Sequence, residues 1–187
     1  PDNLSPKLQE KYINLPISAS TLSRMVYQKQ INGDNIKSYE EVMEESYRMY
    51  INDHKKVWIK FFEILLRSNK RPIIFHCSAG KDRTGIASFM IQSIFNNHID
   101  KIFENYLISN DLLTIKAATA EQKTNSSKQD TLVTKNMLIT LGKVKKSYLN
   151  AAIDEIEKNY SSLENYLISQ LGLKNNDIQK IQQIFGN

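Results

Sequence analysis

Five residues separate Cys77 from the pair Arg83-Thr84 in the run His76-Cys77-Ser78-Ala79-Gly80-Lys81-Asp82-Arg83-Thr84-Gly85. A sulfur nucleophile at the start of a short loop and a guanidinium at its end can hold a phosphate against a thiolate. A loop of this length, turning from a strand into a helix, curls its backbone N–H groups into a concave anion nest. Ser78, Ala79, Gly80, Lys81, Asp82 and Arg83 would line it. Gly80 can take a positive φ inside the loop, while Ala79 and Gly85 let main chain approach main chain. The helix expected from about Arg83 adds the positive end of its dipole. That field favours Cys77 as thiolate, because a cysteine pKa falls at helix N-termini and beside cations. The chain has no other cysteine, so any thiol chemistry belongs to this loop.

The remaining loop residues divide by what their side chains can do. Arg83 offers a planar fork of donors that matches two phosphoryl oxygens, a geometry lysine cannot reproduce. Thr84 puts a hydroxyl near the sulfur, where it can stabilise a departing thiolate. His76, at the strand end, is read as orienting the loop through a backbone hydrogen bond rather than as a titrating group. Asp82 has two readings that sequence leaves open. It is close enough to protonate a leaving oxygen, or it is a helix-cap carboxylate pairing with Lys81 or Arg83. Asp34 and Asp53 are alternative acids from upstream.

Other chemistries fail on spacing. A nucleotide P-loop needs glycine five positions before the Gly-Lys pair and Ser or Thr after the lysine, where this chain has Phe75 and Asp82. Zinc needs several Cys or His ligands, and beyond Cys77 and His76 there are only the distant His54 and His98. No metal or cofactor is implied. An inert buried cysteine lacks so electropositive a setting.

The elements that must position this loop follow from periodicity. Arg71 to Phe75 (RPIIF) reads as the strand that delivers it, and Tyr12 to Ile17 (YINLPI) as a second strand, pushed toward an edge by Pro16. Residues 39 to 68 read as one long helix, with Met43, Tyr47, Tyr50, His54, Trp58, Phe61 and Leu65 on one apolar stripe. On that pattern Trp58 and His54 are packing residues. The loop helix should run to about His98, and Asp100 can cap another through about Ile108. Ala117 to Asp130 has almost no large apolar residue and reads as a loop. Helices follow at Tyr148 to Asn159, Ser162 to Leu171 (stopped by Gly172) and Asp177 to Phe185. The twice-occurring Glu-Asn-Tyr-Leu-Ile-Ser, at 104 to 109 and 164 to 169, is too few copies for a repeat array.

At 187 residues, 41% hydrophobic, the chain is long enough for one cored domain spanning residues 1–187. Its 25 basic and 20 acidic residues give +5, which suits an anionic substrate and falls short of a nucleic-acid binder. Lys143, Lys145 and Lys146 are fewer than a lipid-binding cluster needs, so peripheral membrane contact is secondary to a solvated helix face. No run reaches transmembrane length. One thiol forms no internal disulfide, so cysteine usage fits a cytosolic or a secreted protein alike.

The loop His76 to Gly85 resembles the active-site loop of cysteine-dependent phosphatases, and its Ala-Gly-Lys-Asp-Arg-Thr-Gly form is similar to that of the bacterial tyrosine and lipid phosphatase family. The stretch Tyr160 to Leu167 and then Leu171-Gly172-Leu173 is similar to that family's helical end. The resemblance implies Cys77 as a nucleophile that becomes phosphocysteine, Arg83 as the phosphate ligand and Asp82 as the acid. Lys81 stands where phosphoinositide phosphatases also carry lysine, which extends the substrates implied from phosphotyrosine, phosphoserine or phosphothreonine proteins to lipids. The fold implied is α/β, a parallel sheet flanked by helices with a helix-rich C-terminal half. The family's upstream Asn-Phe-Arg-Asp, Gly-Gly and Arg-Ser-Gly stretches do not precede His76, so the sheet is expected to lack N-terminal strands. Two alternatives stay open: a phosphate-binding module of the same fold without turnover, and sulfur transfer or arsenate reduction. Arsenate reduction commonly needs further thiols, which this chain lacks.

Overall fold

The computed structural model describes residues 5–18, 36–112 and 142–186. The expected loop at 117–130 and Asp34 lie outside them. Eight helices lie wholly within the described residues: α1 (Pro6–Gln9), α2 (Ile36–Asn52), α3 (Lys55–Arg67), α4 (Asp82–Ile94), α5 (Ile99–Leu107), α6 (Lys146–Tyr160), α7 (Leu163–Ser169) and α8 (Asn175–Phe185).

Helix α4 carries the cysteine loop at its N-terminus and is the hub of the packing. It touches α5, α6, α7 and α8. Its sequence explains this position: Ile86, Ala87, Phe89, Met90 and Ile94 point several ways around the axis and are all buried. A helix apolar on most of its circumference must be covered on most sides. Burying side chains such as Ile86 and Met90 stabilises the fold by about 1.5–3 kcal/mol each. Helices α2 and α6 make the most extensive helix pair, and α3 packs on α8.

The apolar stripe expected across 39–68 is present, but it is shared by two helices. The chain breaks at Asp53-His54, between α2 and α3, where Asn52, Asp53 and His54 are all weak helix formers. His54 becomes the N-cap residue of α3, its carbonyl accepting from Val57 and Trp58 N–H at 2.9 and 3.2 Å. Trp58 is core, as its spacing implies: it is buried, and its indole N–H donates to the Tyr50 carbonyl at 2.7 Å. That bond ties α3 back onto α2 across the break.

Elsewhere the helices fall near their expected places. Helix α4 ends at Ile94, short of His98, and His98 rather than Asp100 caps α5, its ring nitrogen accepting from Asp100 N–H. Ser162 caps α7 through Asn165 N–H. The chain leaves α7 at Gly172, whose N–H bonds the Ile168 carbonyl while Leu173 N–H bonds that of Leu167, the paired closure of a Schellman-type end.

The expected parallel sheet is a correction. The described residues are helix-rich and contain no strand. Residues 71–77 lie outside any helix, and their exposure alternates as a strand's would, with Ile73, Phe75 and Cys77 half-buried and Pro72, Ile74 and His76 exposed. Among the described residues, however, no backbone hydrogen bond joins 72–76 to another segment. The second candidate strand, 12–17, also lies outside any helix, and it meets this one through the rings of Tyr12 and His76, 6.3 Å apart, and not through a ladder. Alternation records which face is covered; a sheet additionally requires a neighbour at about 4.8 Å along the hydrogen-bonding direction.

Candidate active site

The segment 71–77 lies on the helical core through Ile73 and Phe75. Phe75 packs edge-on against Phe61 of α3, ring centroids 5.4 Å apart, and this contact fixes the height at which Cys77 emerges. Beyond it the chain turns through Ser78, Ala79 and Gly80, all exposed, into Asp82, the first residue of α4. Gly80 has φ +69° and open space where a Cβ would sit, so the glycine answers a backbone requirement rather than a lack of room. The turn closes with Gly85 N–H on the Lys81 carbonyl at 2.7 Å.

Four donors converge on the Cys77 sulfur. Burial alone pushes this half-buried thiol up. Opposing it are the Thr84 hydroxyl and then the backbone N–H groups of Thr84, Lys81 and Gly80, whose hydrogen bonds together hold the Cys77 pKa below 9.0. The Thr84 hydroxyl accepts from Cys77 N–H at 3.0 Å, leaving its own hydrogen for the sulfur. Donors arranged this way serve the thiolate and equally the oxygens of an anion beside it.

Arg83 is the second residue of α4. Its Nη1 donates to the Ile17 carbonyl at 2.7 Å, so residues 12–18 act as a brace for the guanidinium. His54 stands within electrostatic reach: burial lowers its pKa, the neighbouring Asp53 opposes this, and Arg83 lowers it further. Tyr50, stacked near His54 at 6.3 Å, feels Asp82, Arg83 and Cys77 together. Burial raises its pKa first, Asp82 and Cys77 add to this against Arg83, and the phenol is pushed up to about 12. His76 is exposed, with Nδ1 3.2 Å from the Cys77 carbonyl, a contact it makes as donor when that nitrogen carries the proton.

Asp82 is turned toward the helix bundle. Its Oδ1 accepts from the Tyr47 hydroxyl at 2.9 Å and lies 3.3 Å from the Lys81 ammonium. Of the two pairings open in the sequence, the structure has Lys81. Lys81 is itself 5% exposed, and its Nζ also donates to the Lys143 carbonyl at 3.3 Å. The Tyr47 oxygen is 2.6 Å from that of Tyr106 on α5. Gly85 makes room for this arrangement: a Cβ there would lie 2.8 Å from the Tyr106 ring. The close approach is therefore to an aromatic side chain and not, as the sequence suggested, to main chain. Asp53 is exposed at the α2–α3 turn.

Sequence reasoning placed Tyr47 on a core stripe and passed over Tyr106 and Ile17. The usable signal was chemical. A buried tyrosine needs a partner for its hydroxyl, and this chain has nine tyrosines. Among the described residues no group of three or more His, Cys, Asp or Glu side chains could hold a metal ion, and no helix is long and apolar enough to cross a membrane.

A tyrosine-protein phosphatase family relative from Cupriavidus necator is 33% identical over 97 residues, covering 52% of this chain and 34% of its own. The triple specificity protein phosphatase PtpB of Mycobacterium tuberculosis is 34% identical over 112 residues, 56% of this chain and 40% of its own. The inositol diphosphatase SIW14 of Saccharomyces cerevisiae is 32% identical over 71 residues, 38% of this chain and 25% of its own. The chain thus spans well under half the length of the curated relatives it matches. The model of the tyrosine phosphatase family matches residues 2–186, nearly end to end, and the chain belongs to that family.

Proposed function

We propose that the protein hydrolyses phosphate monoesters, phosphotyrosine in proteins first among them, through a phosphocysteine intermediate on Cys77. The observation that carries this reading is the convergence of the Thr84 hydroxyl and three backbone N–H groups on a sulfur whose pKa they lower. In the first displacement the Cys77 thiolate attacks phosphorus and an S–P bond forms as the P–O ester bond breaks. The electron pair leaves on the ester oxygen, which takes the proton of Asp82. Loop N–H groups and the Arg83 donors not engaged by Ile17 hold the equatorial oxygens. In the second displacement water attacks the phosphocysteine, Asp82 takes its proton and the thiolate departs. Ester and water become alcohol and phosphate, and the enzyme is restored.

Lys81 enters this mechanism as the cation beside Asp82. The names of the relatives, which span tyrosine, triple-specificity and inositol phosphatases, support testing phosphoserine or phosphothreonine peptides and phosphoinositides beside phosphotyrosine. The experiment is phosphate release in the presence of a chelator from an aryl phosphate, phosphopeptides and phosphoinositide vesicles, with Cys77→Ser as control. Release that Cys77→Ser abolishes supports the reading and ranks the substrates. Phosphate binding without release by the folded protein would favour the binding module instead.

A further inference from the structure

We propose that Tyr47 is the positioning residue for the acid of this reaction, holding Asp82 by one carboxylate oxygen so that the other presents its proton to the leaving group. The inference rests on the reading of Asp82 as that acid. Tyr47 sits on α2, fully buried, and reaches across to the first residue of α4. Its hydroxyl donates to Asp82 Oδ1 at 2.9 Å, and the Lys81 ammonium approaches the same oxygen at 3.3 Å. Among the described residues the hydrogen bonds and ion pairs of the Asp82 side chain all fall on Oδ1. One hydrogen bond and one ion pair on the same oxygen hold the rotamer and leave Oδ2 to carry and deliver the proton.

Tyr106 completes the device. Its hydroxyl is 2.6 Å from that of Tyr47, and either can donate. When Tyr47 gives its hydrogen to Asp82, Tyr106 can give its own to Tyr47, so neither buried hydroxyl is left without a partner. Burial, reinforced by Asp82 and Tyr106, raises the Tyr47 pKa well above 10.0. The phenol therefore stays a neutral donor across the working pH range. A neutral donor and a cation both bind a carboxylate more tightly than a carboxylic acid. Their hold on Oδ1 strengthens as Oδ2 loses its proton, which stabilises the transition state more than the ground state.

This predicts a dependence on the leaving group that a packing role would not produce. Phenyl phosphate needs the proton as its P–O bond breaks, whereas 2,4-dinitrophenyl phosphate expels a stable anion and does not. Tyr47→Phe should lower kcat/KM for phenyl phosphate by about 10-fold to 100-fold, the loss of one hydrogen bond to a charged acceptor. For 2,4-dinitrophenyl phosphate kcat/KM should stay within about twofold on the same argument, because that ratio reports only the steps through the first displacement, whereas the later attack of water, with Asp82 as base, is common to both esters. In the Asp82→Asn background the same substitution should cost nothing further. Thermal melting checks that the variant folds. Tyr106→Phe, which keeps the Tyr47–Asp82 bond but removes its support, should give the same leaving-group dependence at smaller size. Equal losses on both esters, or a loss in Tyr47→Phe that multiplies with that of Asp82→Asn, would overturn the role of Tyr47 while leaving the phosphatase reading intact. Failure of the unaltered protein to release phosphate from either ester would overturn both.

Discussion

Thr84→Val tests how the loop makes its thiolate, because it removes the donor ranked first among those opposing burial of the sulfur. The substitution keeps the size and branching of the side chain and the Thr84 backbone N–H, and deletes the hydroxyl. A hydrogen bond to a charged acceptor contributes about 1.5–3 kcal/mol when fully desolvated, and Cys77 is only half-buried, so roughly 1 kcal/mol is the appropriate discount. At a fixed pH below the midpoint, this corresponds to about a fivefold fall in the thiolate fraction. The sign follows from which form the hydroxyl binds. It favours the anion, so its removal moves the midpoint up, toward the 9.0 of an unperturbed thiol. The single cysteine makes the assay direct, because thiolate absorbance and iodoacetamide alkylation across pH both report Cys77 alone. The alkylation rate at the high-pH plateau should be little changed. Thr84→Ser, which keeps the donor, should restore the original midpoint. A midpoint in Thr84→Val that stays put or falls would refute the assignment of Thr84 as the principal donor to sulfur.

Two further outcomes probe the surroundings of the loop. Gly85→Ala should destabilise the fold by about 1–3 kcal/mol in denaturant unfolding, because the added Cβ meets the Tyr106 ring at 2.8 Å and that ring is buried and tied to Tyr47. An unchanged midpoint would mean that Tyr106 is free to swing aside. In NMR titration His54 should lose its proton below pH 6.5, burial being the main cause and Arg83 a further one, and Arg83→Ala should move its midpoint upward. A midpoint that stays in place would show that the guanidinium does not act on the imidazole.

What was legible in the sequence was the chemistry that is local in the chain. Cys77, Gly80, Arg83 and Thr84 lie within eight consecutive positions, so their types and spacing state most of the loop's geometry. The helices were legible for the same reason, their apolar periods and caps being short-range. The break at Asp53-His54 was harder because the apolar stripe continues through it, from Tyr50 to Trp58, on two helices joined by the indole hydrogen bond. Strand pairing was not legible, since the apolar run Ile73-Ile74-Phe75 reads the same with or without a neighbouring strand. The partners of Asp82 and Arg83 were invisible for a related reason. Tyr47 is 35 positions from Asp82 and Ile17 is 66 from Arg83, so only the tertiary packing brings them together.

Those distant contacts decide how firmly the site is held. A loop whose outer residues Ser78, Ala79 and Gly80 are exposed cannot fix its own geometry, and misplacement of a reacting group by about 1 Å can cost about a hundredfold in rate. Here the rigidity comes from below. Helix α4 is enclosed by α5, α6, α7 and α8, and its first turn is pinned at both charged residues, Asp82 by Tyr47 and Lys81 and Arg83 by the Ile17 carbonyl. The exposed part of the loop is confined to Ser78, Ala79 and Gly80, while the carboxylate and the guanidinium stand on a helix whose apolar side chains are buried in the core. A buried tyrosine on α2 is then as much part of the working site as the loop, although nothing in the loop's own sequence names it.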